Sequence, residues 1–200
     1  MGLYDYELIA YDNGFSAVCG VDEAGRGPLA GDVYAAAVIL PRGVEIEGVN
    51  DSKKLSEKKR ERLFDVIMEK AVSYCIATST IEEIDTLNIL QASLLAMRRA
   101  VAGLSVQPDL ALVDGNQDPH LAIAATPIIG GDGKSASIAA ASILAKVARD
   151  RYMKQLDLQF PEYQFSRHKG YGTKLHYELL SQYGISPVHR RTFLKKWAGK

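Results

Sequence analysis

The residues best suited to chemistry are Asp22 and Glu23, which follow the apolar run Ala17-Val18-Cys19-Gly20-Val21 and precede Gly25-Arg26-Gly27. The run reads as a buried strand whose end presents two adjacent carboxylates to a glycine-flanked loop. Two uncompensated acids at a strand end are costly, and such a pair persists when something positive sits beside it. Hard divalent cations, which take oxygen ligands, answer that need. The glycines let the backbone approach a ligand closely. Two further acids stand alike: Asp114 closes the run Leu110 to Val113, and Asp132 follows the run Ala122 to Ile129 after a glycine pair.

If those strands run parallel, their C-terminal ends share one edge of a sheet and four carboxylates converge there, where open α/β sheets bind ligands. Four acids without a matching His or Cys cluster indicate Mg²⁺ or Mn²⁺ rather than zinc. Two such ions about 3.5 to 4 Å apart activate water on one side of a phosphodiester and stabilise the leaving oxygen on the other. The chemistry implied is phosphodiester hydrolysis. Each acid also has a plainer use. Asp132, like Ser135, stands where a helix cap is wanted; Asp114-Gly115-Asn116 suits a tight turn; Asp22 and Glu23 suit an exposed turn, against which the buried run before them argues.

Other motifs fail on spacing. Gly133-Lys134-Ser135 resembles the end of a nucleotide-binding P-loop, but the glycine required earlier is Ile128. Gly25 and Gly27 begin a dinucleotide fingerprint, yet Ala30 stands at the third position and the acid pair occupies the approach of a pyrophosphate. His168 and His176 lie eight apart with no paired cysteines, a poor zinc set.

The elements that must position the acids are legible from periodicity and punctuation. Helices are expected at Asp5 to Asn13, Ser56 to Lys70 with Ser56 as N-cap, Ile81 to Asp85, and Ile89 to Ala102. Strands are expected at Ala17 to Val21, Val33 to Leu40, Val72 to Thr80, Leu110 to Val113 and Ala122 to Ile129. A long helix, Ser137 to Leu156, starts rich in alanine, which suits close backbone packing on a sheet. Lys174 to Tyr183 and Thr192 to Lys196 complete a helical, basic C-terminal third. Short connections favour antiparallel pairing of the first three strands, and helical crossovers favour parallel pairing of the others. The product is an α/β fold: a mixed five-stranded sheet with helices on both faces, followed by a helical C-terminal extension.

Composition restricts the function classes. With 47% hydrophobic and 24% charged residues, the 200-residue chain is an ordinary globular protein. Its longest apolar run, Val33 to Leu40, is far short of the roughly 18 residues of a membrane span. The N-terminus lacks an export signal's positive region and apolar core. Cys19 and Cys75 both lie in apolar runs and read as reduced core residues, so a cytoplasmic location is expected. The net charge of zero hides a split. Residues 1–133 hold 11 Lys+Arg against 20 Asp+Glu, and residues 134–200 hold 13 against 4. That asymmetry suits an enzyme that holds metal with one half and a polyanion with the other.

These segments resemble those of type 2 ribonucleases H, in particular bacterial ribonuclease HII. The resemblance rests on Gly20-Val-Asp-Glu-Ala-Gly-Arg-Gly-Pro-Leu-Ala-Gly31, Asn50-Asp-Ser-Lys-Lys-Leu-Ser56, Val113-Asp-Gly-Asn116, Gly131-Asp-Gly-Lys-Ser135 with Ser137-Ile-Ala-Ala-Ala-Ser142, and His168-Lys-Gly-Tyr-Gly-Thr173. They run in family order over most of the chain, and the first alone is highly specific. Gly133, where the family often has another small residue, is a departure without consequence.

The resemblance implies a ribonuclease H-like catalytic domain at residues 1–156, with 157–200 as a helical extension contributing to nucleic-acid binding. Asp22, Glu23, Asp114 and Asp132 would hold the metal and carry catalysis. Gly25, Arg26 and Gly27 would meet the ribose 2′-hydroxyl through their backbone, and Tyr171 would pair with it. Lys53 and Lys54 would touch backbone phosphate. Lys146, with Arg149, Arg190 and Arg191, is a weaker candidate for the same role. The implied partners are RNA/DNA hybrids and duplex DNA containing single ribonucleotides, cut on the 5′ side to leave 3′-hydroxyl and 5′-phosphate ends. A monomer is expected, since no heptad pattern or long exposed apolar stripe is visible. The competing readings are a nuclease of the same fold that ignores the sugar, and a hybrid-binding protein without catalysis.

Overall fold

The computed structural model describes residues 2–49 and 55–195. Lys53 and Lys54, and the last residue of the expected helix Thr192 to Lys196, lie outside them.

A helix α1 (Asp5–Asp12) precedes strands β1 (Val18–Ala24) and β2 (Val33–Ile39). Helix α2 (Glu57–Lys70) leads to β3 (Ser73–Ser79), then come α3 (Ile81–Leu87) and α4 (Ile89–Ala102). β4 (Leu110–Asp114), β5 (Ala124–Ile128) and the long α5 (Ala136–Gln159) follow, then α6 (Phe165–His168) and α7 (Lys174–Tyr183). The sheet order is β3-β2-β1-β4-β5. β1–β2 and β2–β3 pair antiparallel; β1–β4 and β4–β5 pair parallel. The mixed sheet expected from connection lengths is therefore present. Pro127, which has no N–H to give a ladder, sits on the edge strand β5.

Strand alternation divides the core. Cys19, Val21, Ala35 and Ala37 face α4, while Ala36 and Val38 face α5 and α2. The alanine-rich opening of α5 has the role its composition suggests. Ala139, Ala140 and Ala141 are fully buried, and a Cβ built on Gly20 would lie 2.0 Å from the backbone carbon of Ser137. Only a glycine in β1 lets α5 come so close. Ser135, not Asp132, caps α5: its side chain accepts from the Ile138 N–H at 3.2 Å.

Two boundaries differ in ways that matter. β1 continues beyond Val21 through both acids to Ala24, because β2 supplies partners that far, Asp22 opposite Ala36 and Glu23 opposite Ala35. At the C-terminus a single 3₁₀ turn, Arg191–Phe193, stands where a helix from Thr192 is expected. Arg191 and Thr192 there give their backbone N–H groups to Asp85, at 3.0 Å each. α5 runs unbroken through residue 156, and its Met153 and Leu156 pack with Phe165 and Leu180 of the C-terminal helices and with Leu29 and Ala30 after β1.

Candidate active site

The chemistry-bearing residues gather where β1 and β4 end side by side. Val21 is level with Val113 in the parallel pair, so Asp22 and Asp114 are neighbours one step further along. A cleft of about 260 Å³ opens there, walled by Asp22, Glu23, Asp114, the Gly25–Gly27 loop, Ser142, Lys146 and Tyr171. Asp22 is 4% exposed. Burial foremost, then the nearby charges of Glu23 and Asp114, push its carboxyl well above the usual range, against a hydrogen bond from Ser142. Burial likewise raises Glu23, assisted by Asp114 and opposed by Arg26. The Arg26 guanidinium, half exposed, pairs with Glu23 Oε1 at 3.4 Å and offsets part of that rise. Three acids thus share one cleft, and burial outweighs the Arg26 charge at Glu23.

Asp132 is placed differently. It is buried in the 3₁₀ turn Gly131–Gly133 beyond β5 and does not wall the cleft with the other three. Its turn is tied to them by the Gly131 N–H, which donates to Asp114 Oδ1 at 2.6 Å.

The residues expected at the sugar converge. Gly25 has φ +103°, a left-handed conformation that favours glycine, and a Cβ there would strike Arg149 Nε at 2.1 Å. A Cβ on Gly27 would be 3.5 Å from the Tyr171 ring, which is 43% exposed and faces the same opening. Lys146 projects into the cleft and pairs with Asp150 one helical turn on. Burial lowers its pKa.

Two of the three arginines considered for phosphate contact do something else. Arg190 is fully buried and gives its donors to the carbonyls of Gly25, Arg26, Pro28 and Gly31, at 2.7 to 3.1 Å. Arg149, 1% exposed, donates to the carbonyls of Ala30, Asp32 and Lys169. The positive surplus of residues 134–200 is also reduced by ion pairs of Arg151 with Glu61 and Lys154 with Glu57. Part of that charge is therefore internal scaffold, not surface.

A family model for ribonuclease HII matches residues 19–196. The chain belongs to the ribonuclease HII family. Ribonuclease HII of Clostridioides difficile (strain 630) is 55% identical over 190 residues, 95% of this chain and 74% of that protein. Ribonuclease HII 1 of Methylibium petroleiphilum is 60% identical over 174 residues, 87% of this chain and 88% of that one. The crystal structure of ribonuclease H2 from Pyrococcus horikoshii OT3 matches with a TM-score of 0.73 at 32% identity, covering 88% of this chain and 93% of that one. A ribonuclease HII chain is a hydrolase, an endoribonuclease of the type 2 ribonuclease H class, and the sheet described above is the ribonuclease H-like fold.

Sequence reasoning gave Ser142 no role in this ribonuclease HII chain and offered Arg149 and Arg190 for phosphate contact. Ser142 contacts Asp22 and stands four residues before Lys146 on α5, so the helical period is the signal that could have found it. Arg149 and Arg190 support the glycine loop. No local signal separates a buried arginine from a surface one.

Proposed function

We propose that this chain hydrolyses the phosphodiester 5′ of a ribonucleotide, in RNA/DNA hybrids and at single ribonucleotides within duplex DNA, leaving 3′-hydroxyl and 5′-phosphate ends. The observation that carries the reading is the cleft itself. Three carboxylates face a glycine loop and an exposed tyrosine across one opening of about 260 Å³. A reactive phosphate and its sugar fit side by side there.

The donor set suits hard divalent ions. Every candidate ligand is a carboxylate, and the charges on Asp22, Glu23 and Asp114 oppose one another. Among the described residues no three His, Cys, Asp or Glu side chains form a ready-made cage. Mg²⁺ is bound through one or two carboxylates and completes its shell with water and substrate phosphate. Asp22, Glu23, Asp114 and Asp132 would hold two Mg²⁺ or Mn²⁺ ions, which when bound supply an activated water and stabilise the leaving oxygen.

The chain's own residues do the rest. The Gly25–Arg26–Gly27 backbone meets the 2′-hydroxyl, and the Tyr171 hydroxyl bonds to it, the polar contact by which a protein demands RNA. Lys146, Lys53 and Lys54 act on backbone phosphate, which makes binding salt-sensitive. Residues 157–200 serve as the helical extension of a catalytic unit at 1–156. With Cys19 and Cys75 free, we place the enzyme in the cytoplasm, as a monomer.

The test compares a duplex carrying one embedded ribonucleotide with its all-DNA twin, with Mg²⁺ and with excess chelator. Cleavage of the first alone, abolished by chelator, is expected. Equal cutting of both duplexes would replace the reading with that of a sugar-blind nuclease, and chelator-resistant cutting would remove the metal.

A further inference from the structure

Three histidines are buried under the Tyr171 loop, and neither the carboxylates nor the phosphate contacts use them. His168, His176 and His189 are 7%, 0% and 1% exposed. His176 Nδ1 lies 2.9 Å from the Tyr171 carbonyl, and His176 Nε2 lies 3.0 Å from His189 Nε2. His189 Nδ1 meets both the Ser186 N–H at 3.1 Å and the Ser186 hydroxyl at 2.7 Å.

The partners dictate the protons. A carbonyl only accepts, so His176 carries its proton on Nδ1, and its Nε2 is an acceptor. His189 must then donate from Nε2, which leaves its Nδ1 to accept from Ser186. Every bond in the chain Ser186 to His189 to His176 to Tyr171 runs in one direction, and it is complete only when both rings are neutral. Burial foremost pushes both pKa values down to about 4. His168 repeats the logic: its Nδ1 accepts from the Gly170 N–H at 3.2 Å while its Nε2 meets the Tyr163 carbonyl at 2.8 Å.

Tyr171 needs such support. Its ring is 43% exposed, so core packing does not fix it, and Gly170 and Gly172 flank it with wide backbone freedom. Its position is set through its peptide groups. The Gly170 carbonyl accepts from the Leu29 N–H at 2.7 Å, which ties the loop to the segment that follows Gly25–Gly27.

We propose that His176 and His189 are positioning residues for sugar recognition: their hydrogen-bond chain fixes the Tyr171 backbone so that the phenol stands opposite the Gly25–Gly27 loop. The proposal rests on the reading of Tyr171 as the ribose contact.

The test uses the full chain with Mg²⁺ on a duplex carrying one embedded ribonucleotide, in single-turnover rates and duplex affinity. His189→Leu should slow cleavage by about one to two orders of magnitude with little change in duplex affinity, because it misplaces a contact without touching the phosphate surface. His189→Gln, whose amide can donate to His176, should recover most of the rate. In a Tyr171→Phe background His189→Leu should cost little more. Parent-like cleavage by His189→Leu, equal losses for Leu and Gln, or losses that add to Tyr171→Phe would each overturn the relay. Tyr171→Phe cutting at the parent rate would instead overturn the ribose reading. Should His189→Leu not fold, nitrogen-15 shifts of the parent decide: protons on His189 Nε2 and His176 Nδ1 near pH 7 support the relay, and any other state overturns it.

Discussion

Arg190 Nη2 donates to the carbonyl of Gly25 at 2.7 Å, across 165 residues of sequence. The bond joins the C-terminal extension to the loop that faces the cleft, and three more donations from the same guanidinium reinforce it. Burial, then the charge of Arg149, lowers the Arg190 pKa, so the site holds this cation at a cost that the carbonyls offset. Arg190→Gln should destabilise the fold by about 3 kcal/mol or more, because carbonyls that accepted from a cation lose their donors. Urea denaturation measures this. The salt dependence of duplex binding should keep the parent's slope; a slope smaller by about one would return Arg190 to the phosphate contacts.

The raised carboxyl pKa of Asp22 has a stability consequence of definite sign. The folded protein holds that proton at pH values where the unfolded chain has released it. Ionisation therefore penalises folding progressively from the ordinary Asp value of about 4 up to the raised folded value, and fully above it. In metal-free protein Asp22→Asn should accordingly melt higher than the parent at pH 7.5, with the gap narrowing as pH falls toward 5, while cleavage is lost. Mg²⁺ should raise the parent's melting temperature more than the variant's. A variant that melts below the parent at pH 7.5 would show that the acids are compensated by the protein itself.

Asp114→Asn should abolish cleavage while sparing duplex affinity, since it removes a carboxylate and leaves the basic surface intact. Asp132→Asn, on a turn that does not wall the cleft, provides the comparison. Losses of similar size in single-turnover assays would place both in one ligand set. Parent-like cleavage by Asp132→Asn would confine the set to Asp22, Glu23 and Asp114.

Gly25→Ala meets two obstacles at once, a φ of +103° and Arg149 Nε at 2.1 Å from the new Cβ. A loss of stability of about 2 to 4 kcal/mol is expected from strain and overpacking together. Gly133→Ala is the control, because a Cβ there meets nothing within 4 Å and the φ is not in the left-handed region. Thermal melts of the two variants should separate clearly; equal melts would mean that the loop can shift away from Arg149.

Much of this molecule was legible along the chain. Helix α2 begins after Ser56 because that side chain accepts from the Lys59 N–H, a local event that three residues of sequence announce. The five strands were visible as apolar or β-branched runs, and the antiparallel and parallel pairings followed from the lengths of their connections. Asp22, Glu23 and Asp114 were conspicuous because each ends an apolar run with an acid. β1 was read three residues short, because its extension depends on partners that β2 supplies and not on its own residue types.

Residue type and near-neighbour spacing thus determined which segments are regular, which way the sheet is wired and which acids are chemically available. Tertiary structure alone decided that Arg149 and Arg190 point inward, that three histidines pack together beneath the Tyr171 loop, and that the turn carrying Asp132 is tied to Asp114. The physical reason is range. Helix, strand and turn preferences are set within a few residues, whereas the burial of a charge depends on what surrounds it, and the carbonyls around Arg190 belong to residues 25–31.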